Sequence, residues 1–150
     1  MDYRNYGGTC YVRIDKGEDI IRQLMEVCRR EQAASAVYSG IGGCDQAEIR
    51  IFIPEEGRFE SRQLKGMLEL VSLNGSLNLD EHGNYEHHTH GIFAYKKGEE
   101  NCTAGGHITA VRVLYTAEIE LRPVKGGTIT RAFNPETGTR FWNFGEGETE

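Results

Sequence analysis

Histidine carries the most chemistry in this chain, and four of its five histidines fall between Glu81 and His90. In Glu86-His87-His88-Thr89-His90, a strand conformation would put residues two apart on one face. Glu86, His88 and His90 would then project together while His87 points the other way. Two imidazoles so spaced form two prongs of a clamp for a divalent ion, and zinc suits nitrogen donors in tetrahedral sites. Register supplies a third prong. If Glu86 to Tyr95 and Ala104 to Thr116 form a hairpin turning at Gly98-Glu99, His90 faces His107, unless a bulge at Gly105-Gly106 shifts the pairing by one. A bare H-x-H reads more simply as surface histidines on a polar strand. The register-matched His107 makes the set a half-open metal site of His88, His90 and His107. Zinc held this way keeps a position for water, whose pKa it lowers to about 7. Glu86 is then a fourth ligand, an orienting partner of a ligand, or the candidate general base. His82 and His87 read as structural or solvated.

Other candidates are weaker. Gly40-Ile41-Gly42-Gly43 lacks the Lys-Ser/Thr of a phosphate-cradling loop and reads as a tight turn. Cys44 has no evident base and reads as a buried thiol. Arg29-Arg30 and Lys96-Lys97 read as solvated charges, and Arg112 as the partner of a sheet carboxylate.

The elements that must position the histidines follow from periodicity. Glu18 to Ala33 places Ile20, Ile21, Leu24, Val27 and Cys28 on one helical face, with Asp15 and Glu18 resembling a capping box at its start. A strand is expected before it, over Thr9 to Ile14. After it the period becomes two: Ala36 to Ser39, then Ala47, Ile49, Ile51 and Ile53, then Gly66 to Gly75, Glu86 to Tyr95, His107 to Thr116 and Ala117 to Leu121. One amphipathic helix with many strands predicts an α+β domain with a largely antiparallel sheet. The tail, Arg122 to Glu150, is less regular. Its Phe133, Phe141, Trp142 and Phe144 argue that part of it docks on the body or on a neighbouring subunit, and Gly145 to Glu150 is expected to fray.

The 150 residues, 38% of them hydrophobic, match one domain with a real core. No apolar run reaches the roughly 18 to 20 residues of a membrane span, and MDYRNYGG lacks the layout of a secretory signal. The expected compartment is the cytoplasm. Cys10, Cys28, Cys44 and Cys102 contain no C-x-x-C pair and read as reduced thiols. A formal charge of -6 disfavours direct duplex DNA binding, which needs clustered Lys and Arg.

Several runs together resemble the plant and prokaryote conserved (PPC) domain: Tyr11-Val12-Arg13-Ile14-Asp15-Lys16-Gly17-Glu18, Ser39-Gly40-Ile41-Gly42, Leu68 to Leu77, His88-Thr89-His90, Gly105-Gly106-His107 and Thr116-Ala117-Glu118-Ile119. The resemblance covers about residues 9 to 121 and leaves 122 to 150 as a C-terminal extension. It implies an α+β fold, a homotrimer, and a histidine cluster that holds zinc in some bacterial members. The family strand often reads H-x-H-x-H, and here Glu86 takes the first position. Plant members usually carry an AT-hook before the domain; Leu121-Arg122-Pro123 lacks the glycine and second basic residue of that element.

Two functional expectations follow. One is a zinc-binding, homotrimeric assembly module with a DNA-associated or regulatory role through partners. The other is a metal-dependent enzyme acting on a small polar or anionic substrate, with Arg or Lys fixing its charge. A purely structural metal is a third possibility.

Overall fold

The computed structural model describes residues 1–144; the fraying expected of Gly145 to Glu150 lies outside them. The helix, α1 (Ile20–Arg30), is amphipathic as its spacing predicts, burying Ile20, Ile21, Leu24, Val27 and Cys28 against β2 (Thr9–Asp15) and β6 (Glu100–Pro123). Its start differs from the expectation. Glu18 does accept the Asp15 amide at 2.8 Å, but Asp19 is the N-cap, its side chain accepting from the Arg22 amide at 2.9 Å. A carboxylate at the cap satisfies an otherwise unpaired N–H. The second Asp19 oxygen accepts the Val111 amide at 3.2 Å, so the cap also pins the helix to β6. The helix ends where Gln32 turns left-handed at φ 52 and Ala33 N–H returns to Cys28 O at 2.9 Å, closing the last turn.

The remaining main strands are β1 (Asp2–Tyr6), β3 (Ser35–Ile53), β4 (Arg58–Leu79) and β5 (Tyr85–Lys97). All pair antiparallel in the order β1-β2-β6-β3-β4-β5, and β5 also bonds to β6. That last pairing closes β6, β3, β4 and β5 into a ring. Its interior holds Ile49, Leu68, Leu70, Leu73, Phe93, Ile108 and Leu121, each no more than 2% exposed. The fold is therefore α+β with a largely antiparallel sheet. No helix among the described residues is long and apolar enough to cross a membrane.

The turn expected at Gly40-Ile41-Gly42-Gly43 is absent; β3 runs straight through it with register shifts on both edges. The glycines serve close approach instead. A Cβ on Gly42 would lie 2.9 Å from Ala117 Cα, so only a residue without one lets β6 lie against β3 here. The sequence carries the same signature for a turn and for a tight sheet contact, and tertiary pairing decided between them.

Beyond β6 the chain forms a separate hairpin, β7 (Thr130–Asn134) and β8 (Thr139–Asn143). It is joined to the ring by polar handles: Ser35 and Asn78 both bond the Ile129 backbone at 2.8 Å, and Arg140 pairs with Glu86 at 3.1 Å. Its aromatics remain well exposed, Trp142 at 47% and Phe133 at 62%.

Gly75 gives a direct test of the packing. A Cβ there would sit 2.6 Å from the Tyr38 hydroxyl and 2.7 Å from the His88 carbonyl. Gly75→Ala is expected to destabilise by about 1–3 kcal/mol in urea unfolding, whereas Gly127→Ala, with nothing within 4 Å, leaves the midpoint almost unchanged.

Candidate metal centre

On β5 the side chains alternate cleanly. Thr89, Gly91 and Phe93 face the ring interior, and His88, His90 and Ile92 face out. The Thr89 hydroxyl fixes this alternation. It is 0% exposed and lies between the Tyr38 hydroxyl and His87 Nδ1, the latter at 2.9 Å. A neutral His87 ring can accept from Thr89 while Thr89 accepts from Tyr38, which satisfies the buried polar groups in a chain. Burial lowers the His87 pKa, with the Arg131 charge adding to it and Asp19 opposing.

The third histidine arrives by register. Lys97 pairs with Glu100, and the ladder runs without a shift to His90 opposite His107; the possible slip at Gly105-Gly106 does not occur. His107 also pairs with Arg50 on β3, so it sits where both edges of β6 are occupied. The three rings form a nearly equilateral triangle, with centroids 5.1 Å apart for His88 and His90, 5.3 Å for His88 and His107, and 5.5 Å for His90 and His107. One nitrogen from each lies within 4.8 Å of the other two. Nitrogens around a tetrahedral zinc stand roughly 3.3 to 3.4 Å apart, so small ring rotations separate this arrangement from a ligating one. Burial favours the neutral form of two of the donors, His88 and His107. Desolvation first, then the neighbouring histidines and Arg131, push His107 down to about 4. Desolvation, Arg131 and the other rings lower His88 as well. Neutral imidazoles are what a metal requires. The set is one that can hold a metal ion, with His88 and His90 exposed.

Other sequence candidates are placed as follows. The Glu86 carboxylate stays out of the three-ring set and is engaged by Arg140. Arg112 pairs bidentately with Asp45, both contacts 2.8 Å. Cys44 is fully buried, and burial pushes its thiol up to about 12, which removes it as a nucleophile. Arg29 and Arg30 reach Glu26 on the helix surface, Lys96 bonds the Glu99 carbonyl, and His82 lies exposed beside Glu81. Sequence reading did not place Arg131, Arg140 or Trp142 at the site. Arg131 lowers the pKa of three histidines, and Trp142 Nε1 donates to Ser76 Oγ at 3.3 Å, directly opposite His88 in the ladder. The available signal was the pair of five-residue runs around Asn134 and Gly138, readable as a hairpin.

A family profile described as the Plants and Prokaryotes Conserved (PCC) domain matches residues 1–125. The chain belongs to this family. Among solved structures, a plant- and prokaryote-conserved (PPC) protein from Pyrococcus horikoshii is 29% identical, with a TM-score of 0.76, covering 95% of this chain and 93% of its own. A metal-containing protein from Archaeoglobus fulgidus is 26% identical, with a TM-score of 0.78, covering 95% and 99%. A "putative DNA-binding protein" from Bacteroides thetaiotaomicron has a TM-score of 0.83 at 20% identity, covering 95% and 96%, and shares the fold. No curated protein shows significant similarity to the sequence.

Two outcomes test the site. Thr89→Val keeps the shape but strands the Tyr38 hydroxyl; it is expected to cost about 1–3 kcal/mol by chemical denaturation. The second concerns pH. The unfolded chain takes up a proton on His107 near 6.5, the ordinary value of an imidazole, while the folded chain resists until about 4. Metal-free protein is therefore most stable above pH 6.5 and loses stability as pH falls toward 4. In His107→Gln the fall in urea midpoint over that window is expected to be shallower.

Proposed function

We propose that this PPC-family chain is a zinc-binding homotrimer with a DNA-associated or regulatory role exerted through partners. The observation that carries the zinc reading is the triangle of His88, His90 and His107, three imidazoles brought together on adjacent strands. An all-nitrogen set suits zinc over magnesium or calcium, which take oxygen. When bound there, zinc supplies a Lewis-acidic position open to an exogenous ligand. The chain's own residues hold the rings in place: Thr89 fixes the facing of β5, and the β5–β6 ladder delivers His107.

The trimer is supported by the resemblance and by exposed apolar side chains, among them Ile41, Ile51, Phe52 and Phe59, each about half exposed; apolar exposure of this kind suits an interface. The neighbour described as DNA-binding motivates the nucleic-acid association. The charge of -6 motivates assigning that association to partners. Free cysteines throughout are compatible with a cytoplasmic location.

A second reading is a metal-dependent enzyme acting on a small polar or anionic substrate. It is favoured by Arg131, whose buried Nε has no hydrogen-bond partner and whose charge is felt by His87, His88 and His107. Glu86 is the candidate base in that reading, and its pairing with Arg140 would have to open.

Protein stripped with chelator and reloaded is expected to bind one zinc per chain by elemental analysis, with His107→Ala retaining none. Light scattering is expected to give the mass of three chains. The loaded protein at micromolar concentration and moderate salt is expected not to retard duplex DNA. Retardation would replace partner-mediated association with direct binding, and turnover of a hydrolase or lyase substrate abolished in His107→Ala would favour the enzyme.

A further inference from the structure

The outer face of the ring carries an open groove of about 530 Å³ that begins at His88 and His90. Its floor is one continuous row across four strands. Arg122 on β6 pairs with Val37 on β3, Val37 with Ser76 on β4, and Ser76 with His88 on β5. Three inter-strand spacings separate the ends of that row, a backbone distance of about 14 Å, shortened from one end by the Arg122 side chain and from the other by the imidazole. The middle is walled by Trp142, anchored through Nε1 to Ser76 and met edge-on by Phe144 at 6.3 Å, and with the residue 47% exposed part of its ring is open for stacking. At the far end, Arg122 has no hydrogen bond or ion pair among the described residues. The parallel row, Glu120 with Ser39, Asn74 and His90, ends in a carboxylate and so repels an anion, leaving the Arg122 row as the favoured track.

We propose that this groove binds a small flat aromatic molecule bearing an anionic group at each end, one group on the metal held by His88, His90 and His107, the ring against Trp142, and the other group on Arg122. The proposal rests on the metal reading above and deepens it. Each part of the groove accounts for one part of the ligand. The half-open metal takes an oxygen donor, the indole takes a planar face, and the guanidinium takes a carboxylate or phosphate in a charge-assisted fork. A cavity of this size lies within the range of small-molecule sites, roughly 300–1,000 Å³.

Trp142 is the chain's one tryptophan, so its fluorescence reports on the groove without labelling. Zinc-loaded protein would be titrated with three probes that add the contacts stepwise: acetate for the metal alone, benzoate for metal and indole, and benzene-1,4-dicarboxylate for all three. Affinity is expected to rise along the series, with the dicarboxylate about tenfold or more tighter than benzoate, a typical gain for a charge-assisted contact. Arg122→Met, at an exposed position, should bring the dicarboxylate down to the benzoate affinity while leaving benzoate binding and zinc content unchanged. Dicarboxylate binding no tighter than acetate on a zinc-loaded protein overturns this proposal and spares the metal reading. A wild-type protein that takes up no zinc overturns both, so zinc content measured on the same samples separates the two failures.

Discussion

The backbone pairing of β5 on both of its edges is the constraint on which the rest of the molecule depends. With β4 on one side and β6 on the other, the sheet has no choice but to curl into a ring, and curling sorts every β5 side chain to the apolar interior or to the solvent. His90 opposite His107 is a rung of that closure. The candidate ligands are thus not an ornament on a finished scaffold: the hydrogen bonds that shut the ring are the same ones that bring the imidazoles together. Thr89 holds the arrangement from inside, because a hydroxyl satisfied only by Tyr38 and His87 cannot be exchanged with its neighbours without leaving a buried polar group unpaired.

Electrostatics follow from the same closure. Burial first, and then the neighbouring rings and Arg131, lower the pKa of His88 and His107 and favour their neutral forms. The neutral state and the convergent geometry have a common origin in crowding, and both suit a cation that would replace the protons. Glu86 shows the opposite logic. It shares the strand's outward face, but the Arg140 guanidinium draws it toward the C-terminal hairpin, so its charge serves the attachment of that hairpin in the metal-free protein.

Legibility in the sequence tracked how local each determinant was. The helix face from Ile20 to Cys28 and the alternation around His88 and His90 depend on spacing alone, and both could be read. The His90 and His107 pairing needed only a hairpin with a short turn, and that too could be read. Gly40 and Gly42 were mistaken for a turn because glycine marks sharp bends and close backbone contacts alike, and only the partner strand distinguishes them. The cap at Asp19 was missed because Asp15 and Glu18 carry the same chemistry a few residues earlier. β1 and the β7–β8 hairpin were missed because so few of their side chains are buried that any alternation is faint. Trp142, Arg131 and Arg140 could not be assigned to the site from spacing, since they reach it from a segment distant in sequence.

The attachment of that hairpin has a dynamic consequence. It contributes no side chain to the apolar interior and is secured by a handful of half-buried hydrogen bonds and one ion pair. Elements held in this way exchange their amide hydrogens through local opening at far less free energy than the global transition requires. Floor and wall of the groove therefore belong to different cooperative units: the histidines ride on the most protected strands of the molecule, while the indole beside them rides on one of its least protected, so the wall can part from the floor many times for each unfolding of the ring.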